Sequence, residues 1–259
     1  MSKKPTWVVE KERARRDASR ATIWLYGFHA VEAALRNPAR EKLRLVATRN
    51  ALDRLGDAPH DIEVELADAR RFPVALGPDA VHQGLALETK PLDWGGLDGC
   101  LAAASADRQV ILCLDRVSDP HNVGAILRSA AVFGAAAVIA PSRHSAPETG
   151  VLAKAASGAV ESQPYLRVTN LARTLDELKK RGFTTIGLDG EAAMDIRAAV
   201  ARPGPLAMVL GAEGPGLRPG VQSACDILAK IDAAGSLASL NVSNAAAVAL
   251  YAVSTATEI

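Results

Sequence analysis

Three apolar runs, each ending at a corner rich in glycine or amides, limit what this chain can fold into. They are "QVILCLDRV" from Gln109, "PLAMVLG" from Pro205 and "CDILAKI" from Cys225. The first two are continuously apolar, which marks strands covered on both faces, the situation of a buried parallel sheet. Further strands read at "AAVIA" near 136–140 and at "FTTIGLDG", with helices over 120–133, "ETGVLAKAASGAVES", "LARTLDELKKRG" and "NVSNAAAVALYAVSTAT" between and after them. Strand–helix repetition of this kind predicts an α/β fold built on an open, mostly parallel sheet. Such sheets bind ligands beyond the carboxyl ends of their strands, so the three corners become the candidate site.

Upstream, a shorter alternation occupies residues 21–90. "TIWLYGFHAVEAALRNP" reads as a strand, a corner at Gly27 and a helix stopped by Pro38, followed by strands in "LRLVAT", "IEVELA" and "GLALETK". Short helices are expected in "RNALDRLGD" and "DARRFPVAL". This is a small α/β domain, joined to residues 109–259 through a Pro/Gly-rich linker, 91–108, whose second half has helical character. Residues 1–20 carry seven basic side chains against three acidic ones, whereas the whole chain nets only +1. The arm reads equally as a phosphate-neutralising segment and as a solvated tail.

Composition removes several classes. At 49% hydrophobic and 23% charged, the 259 residues suit a protein with a real core. No run approaches the ~18 apolar residues of a membrane span, and the polar, basic opening has no secretory apolar core. The three cysteines, Cys100, Cys113 and Cys225, are far apart with no C-x-x-C pair, and the five histidines show no ligand spacing. The expectation is a reduced, cytoplasmic protein without a metal centre. Nucleotide-binding G-x-G-x-x-G, P-loop and G-x-S-x-G patterns are absent.

In the first corner, "SDPHN", Asp119 suits a helix N-cap and Pro120 the first helical position, while Asn122 and Arg128 follow on the helix. Arg128 falls roughly 130° from the centre of the helix's apolar stripe at ~100° per residue; alone it reads as a solvated face. The second corner, "LGAEGPGL" over 210–217, holds Glu213 in a loop with three glycines in six residues. The third, "GSLASLNVSNAAA", offers Ser236, Ser239, Asn241, Ser243 and Asn244 around one helix start, more than capping alone requires.

Together the corners resemble the three motifs of the SpoU (TrmH) branch of the SPOUT RNA methyltransferases. Motif one corresponds to "DRVSDPHNVGAILRSA", motif two to "MVLGAEGPGL" and motif three to "GSLASLNVSNAAAVALY", in order and across about 150 residues. "YGFHAVEAAL" and "AVHQGLALE" are similar to the RNA substrate-binding domain fused to such cores. The resemblance implies a trefoil-knotted sheet, a homodimer, S-adenosylmethionine as cofactor, and 2′-O-methylation of a ribose, that of a guanosine, in large-subunit (23S) ribosomal RNA. It further implies that Gly211, Ile231 and Leu240 touch the cofactor, mainly through backbone, and that Asn122, Arg128, Glu213, Ser239 and Asn241 form the catalytic surround. Two positions depart from the family pattern: Asp232-Ala233 stands where Pro-Met is usual, a departure that bears on the local shape expected of the cofactor pocket, and Asn244 where a small or aliphatic residue is usual. Transfer RNA as substrate, a non-catalytic RNA-binding or ribosome-assembly factor, and a small-molecule methyltransferase are the competing readings.

Overall fold

All six pairings in the larger of the two sheets are parallel, as the unbroken apolar runs require. The computed structural model describes residues 22–56, 62–68, 72, 74, 76, 80–104, 108–232 and 240–256. The basic arm lies outside the described residues, as does most of the short helix expected at 68–76. The chain divides into two compact units, Met1–Asp93 with Glu148–Lys154, and Trp94–Pro147 with Ala155–Ile259.

The first unit contains β1 (Ile23–Tyr26), α1 (Phe28–Arg36), β2 (Lys42–Ala47), α2 (Arg49–Leu55), β3 (Glu63–Leu66) and β4 (Leu85–Thr89). Its sheet runs β1-β4-β2-β3, with β4 antiparallel to both neighbours and β2 parallel to β3. Helix α1 buries Phe28, Ala30, Val31 and Ala34, the one-sided spacing that an amphipathic helix needs. Thr48 caps α2, its hydroxyl accepting the Ala51 amide hydrogen at 3.3 Å. Arg40, fully buried at its side chain, pairs with Glu148 at 2.5 Å and donates to the Lys90 carbonyl at 2.8 Å.

The second unit contains α3 (Leu97–Ala103), β5 (Val110–Asp115), α4 (Pro120–Val132), β6 (Ala137–Pro141), the end of α5 (Gly150–Ala156), β7 (Tyr165–Val168) and α6 (Leu171–Lys180). It continues through β8 (Thr184–Leu188), β9 (Met194–Asp195), α7 (Ile196–Val200), β10 (Leu206–Gly211), α8 (Pro219–Gln222), β11 (Ile227–Lys230) and α9 (Val242–Ser254). The strand order is β7-β6-β5-β10-β8-β11-β9. Ile111, Cys113, Ile139 and Val209 share one cluster with Leu171, Leu175 and Leu178 of α6. Strand alternation turns Leu112, Leu114 and Met208 to the opposite face, where α9 packs on α4 and on β10.

The stretch 91–108 supplies α3, whose Cys100 is buried in that cluster with Trp94, Leu97 and Leu101 against it. Strands β7 and β9 escape the sequence reading: one has four residues and the other two, and each gains its conformation from a neighbour's ladder. The path that would tie a knot passes through residues 233–239, outside the described residues. No helix among the described residues is long and apolar enough to cross a membrane.

Candidate active site

Parallel strands end on one edge, so β5, β10 and β11 deliver their following corners to the same side of the sheet. Registers refine this. Val209 of β10 and Leu228 of β11 both pair with Gly187 of β8, which sets Gly211 and Lys230, two residues on from each, at one level. Gly211 and Ile231 therefore sit near the edge on either side of β8.

The first corner is built from the strand outward. Asp115 closes β5 with its side chain completely buried. It is held by the last residue of the glycine-rich loop: Arg218 donates from its backbone N at 2.8 Å and from Nε at 2.8 Å, with Nη2 2.7 Å away. Asp119 then caps α4, accepting the His121 amide hydrogen at 2.9 Å, with Pro120 opening the helix as the sequence predicts.

The second corner leaves β10 without room. A Cβ on Gly211 would lie 2.2 Å from the Gly216 carbonyl carbon and 2.4 Å from its oxygen, so the loop folds back onto the strand end only because position 211 has no side chain. A bridge between Ala212 and Gly216 fixes that return, with Gly216 N donating to the Ala212 carbonyl at 3.0 Å.

Glu213 rises from this loop and meets the other two corners. Its Oε1 accepts from Asn122 Nδ2 at 3.2 Å, from Asn241 Nδ2 at 2.5 Å and from Val242 N at 3.3 Å. Asn241 Nδ2 also donates to Asn122 Oδ1 at 2.9 Å, closing the triangle. The Asn241 Oδ1 meanwhile caps α9, accepting from Ser243 N at 2.9 Å and Asn244 N at 3.4 Å. One amide thus performs the capping that its composition suggested and ties three segments together. A carboxylate against the first N–H of a helix is also favoured by the helix dipole.

The structure brings Asn122, Glu213 and Asn241 together but leaves Arg128 apart from them. Arg128 is exposed on α4, six residues after Asn122, which is ~9 Å further along the axis and ~120° around it. It makes no ion pair or side-chain hydrogen bond among the described residues. Both ends of the Asn122 amide are taken by Glu213 and Asn241. Ser239 lies outside the described residues. Ile231 is half-buried directly after β11, and Leu240, 45% exposed, directly precedes the Asn241 cap. Among the described residues, no group of three His, Cys, Asp or Glu side chains is placed to hold a metal ion.

Sequence reasoning missed Asp115 and Arg218, which anchor the loop. The signal was there, since a carboxylate ending an otherwise apolar strand must find a cation or donors once buried.

A parallel α/β sheet whose motif-bearing corners converge in one polar cluster defines a class of enzyme, and comparison gives its family. Residues 109–251 match the SpoU rRNA Methylase family and residues 24–94 the RNA 2′-O ribose methyltransferase substrate binding family; the chain belongs to the SpoU family. It is 42% identical over 241 residues to the 23S rRNA (guanosine-2′-O-)-methyltransferase RlmB of Vibrio cholerae, covering 88% of this chain and 94% of that protein. It is also 42% identical over 233 residues to RlmB of Pseudomonas putida, with the same coverage. In fold it is similar to the SpoU methyltransferase AviRb from Streptomyces viridochromogenes in complex with AdoMet, with TM-score 0.74, 22% identity and 93% and 92% of the two chains covered. An AdoMet-bound rRNA methyltransferase from Sinorhizobium meliloti gives TM-score 0.74 at 20% identity, covering 98% and 96%.

Proposed function

We propose that this protein transfers the methyl group of S-adenosylmethionine to the ribose 2′-oxygen of a guanosine in 23S ribosomal RNA. The observation that carries the reading is the Asn122–Glu213–Asn241 triangle, in which all three motif corners are hydrogen-bonded into one cluster at the sheet's carboxyl edge. The substrate assignment is supported by 42% identity across 88% of the chain to RlmB proteins of that activity.

The residues present suit the cofactor. Half-buried Ile231 and exposed Leu240 offer apolar cover for an adenosyl group, and the side-chain-free Gly211 lets the motif-two loop close onto the strand end. When bound, the cofactor supplies a sulfonium methyl already activated for in-line displacement. The chain's own task is to align a weakly acidic hydroxyl and steady the charge that grows on its oxygen. Arg128, exposed and without a side-chain partner among the described residues, does this as a positive fork on the attacking oxygen and neighbouring phosphate. A guanidinium keeps its proton in proteins and makes a poor base, so the hydroxyl proton leaves to phosphate or water. Glu213 and Asn241 hold the loops, and Asn122 couples the first motif to them.

The enzyme works in the cytoplasm as a homodimer. Support for pairing comes from packed helices α4 and α9, which leave Val132 at 74% and Tyr251 at 61% exposure, with Phe133 and Tyr251 in edge-to-face contact at 6.5 Å. The knot of the family would thread the third motif through the second. The deciding experiment is mapping ribose methylation on 23S RNA from cells lacking this chain. One guanosine should lose its 2′-O-methyl group and regain it on complementation with the wild type but not with Arg128→Ala. An unchanged methylation map refutes the assignment.

A further inference from the structure

Beside the triangle, within the second unit, a cleft of about 510 Å3 opens between the ends of β5 and β6 and the loop after β10. Arg116, Ser118, His144, Ala212, Gly216 and Arg218 line it. Two of these stand out by backbone conformation. Arg116 (φ 63°) and His144 (φ 61°) are half of the four non-glycine residues with positive φ among the described residues. L-residues adopt this left-handed conformation at a cost, so two instances in one cleft need a reason; such strain concentrates at ligand sites. In each case the conformation falls just beyond a parallel strand, and both side chains are exposed.

Their electrostatics point the same way. Arg116 and His144 have no ion pair or side-chain hydrogen bond among the described residues. Arg218 is spent on buried Asp115 through its backbone N, Nε and Nη2, which locks its guanidinium while leaving Nη1 without a protein partner among the described residues. The cleft therefore has one uncompensated guanidinium, one immobilised guanidinium edge and an imidazole, but no carboxylate in its lining except through that locked pair. Its walls run directly into the proposed site: Ser118 precedes the α4 cap by one residue, and Ala212 precedes Glu213.

We propose that this cleft is a phosphate subsite that grips the RNA backbone next to the acceptor nucleotide, with Arg116 as its principal charge and Arg218 as a fixed second donor. The inference rests on the RNA methyltransferase reading above. Planar guanidinium donors match phosphate oxygens, and such contacts set register without reading sequence. The subsite would hold the strand so that the ribose, not the base, reaches the neighbouring corners.

The test uses the full chain and a 23S RNA fragment, with binding measured over a series of salt concentrations for wild type, Arg116→Gly and Arg116→Lys. Glycine removes the charge and also relieves the positive φ, so its Tm should equal or exceed that of the wild type, which excludes misfolding as the cause of lost binding. Loss of one phosphate contact should flatten the slope of log K against log salt by about 0.7 to 0.9, roughly a fivefold weakening near 0.15 M salt. Arg116→Lys should restore most of the slope, and cofactor affinity by calorimetry should stay unchanged in both variants. A wild-type slope in Arg116→Gly overturns the subsite, and so does a loss confined to cofactor affinity, which would make the cleft part of the cofactor pocket. Methyl transfer by the wild type is followed in parallel with labelled cofactor. Its absence would refute the reading above, while the salt slope would still judge the cleft.

Discussion

The loop between β10 and α8 is held at its two ends in opposite ways. At its foot, Arg218 meets a carboxylate with no solvent exposure, Asp115, through charge-assisted bonds of 2.7–2.8 Å. At its crest, exposed Glu213 meets only neutral donors, two side-chain amides and one backbone N–H. The foot is a frame, where a lost partner strands a buried charge. In the function proposed above the crest is the working surface, exposed and held by bonds that separate variants can loosen. On this reading one loop of seven residues divides its labour between stability and chemistry, and stability and activity should part along that division.

Arg128→Ala should show the largest effect and the sharpest split. Methyl transfer falls by 10²–10³-fold or more, in the range of ~3–4 kcal/mol for a lost charge-stabilising donor, while Tm and cofactor affinity stay near those of the wild type. Arg128→Lys should recover little, since a point charge does not replace a planar fork. Calorimetry showing cofactor binding abolished in a folded Arg128→Ala protein would contradict the assigned role.

Asp115→Ala comes next and should behave in the reverse sense. Urea unfolding should show a loss of ~3 kcal/mol, the low end for breaking a buried pair because Arg218 is itself half exposed. A midpoint unchanged from the wild type would mean that the foot is not a frame. Gly211→Ala should follow, costing ~1–3 kcal/mol, because the added methyl meets backbone of the same loop that cannot yield without moving Glu213. Cofactor affinity, measured alongside, should fall with it.

Glu213→Gln should be the mildest. It keeps an oxygen acceptor for Asn241 and Val242 but gives up the negative charge at the start of α9, so stability should change by no more than ~1 kcal/mol. Turnover should slow by about tenfold, the size of a single ordering bond weakened by ~1.4 kcal/mol. A larger fall in stability than in turnover would erase the contrast between crest and foot.

How much of this was legible depends on how local the cause was. Buried strands such as Val110–Asp115 announce themselves in composition, and the α4 cap is written in the adjacent residues Asp119-Pro120. The convergence of Asn122, Glu213 and Asn241 came into view through motif resemblance rather than through spacing, because the three lie 28 to 119 residues apart and only the strand order joins them. The Asp115–Arg218 pair spans 103 residues, so the carboxylate ending an apolar strand calls for a cation without saying which one. Backbone strain at Arg116 and His144 left no mark at all, since arginine and histidine are ordinary residues whose φ only the fold reveals.

Strand order also bears on how the chain is made. The sheet's centre joins Val110 to Leu206, so β5 emerges from the ribosome about a hundred residues before β10, its partner. At ~5–20 residues per second, β5 waits roughly 5–20 s with one apolar edge unpaired. Sheets completed from so far downstream are slow to close and prone to pair with the wrong strand meanwhile. Biogenesis of this enzyme should therefore depend on translation speed and chaperone supply more than that of a protein whose strands pair in order of synthesis.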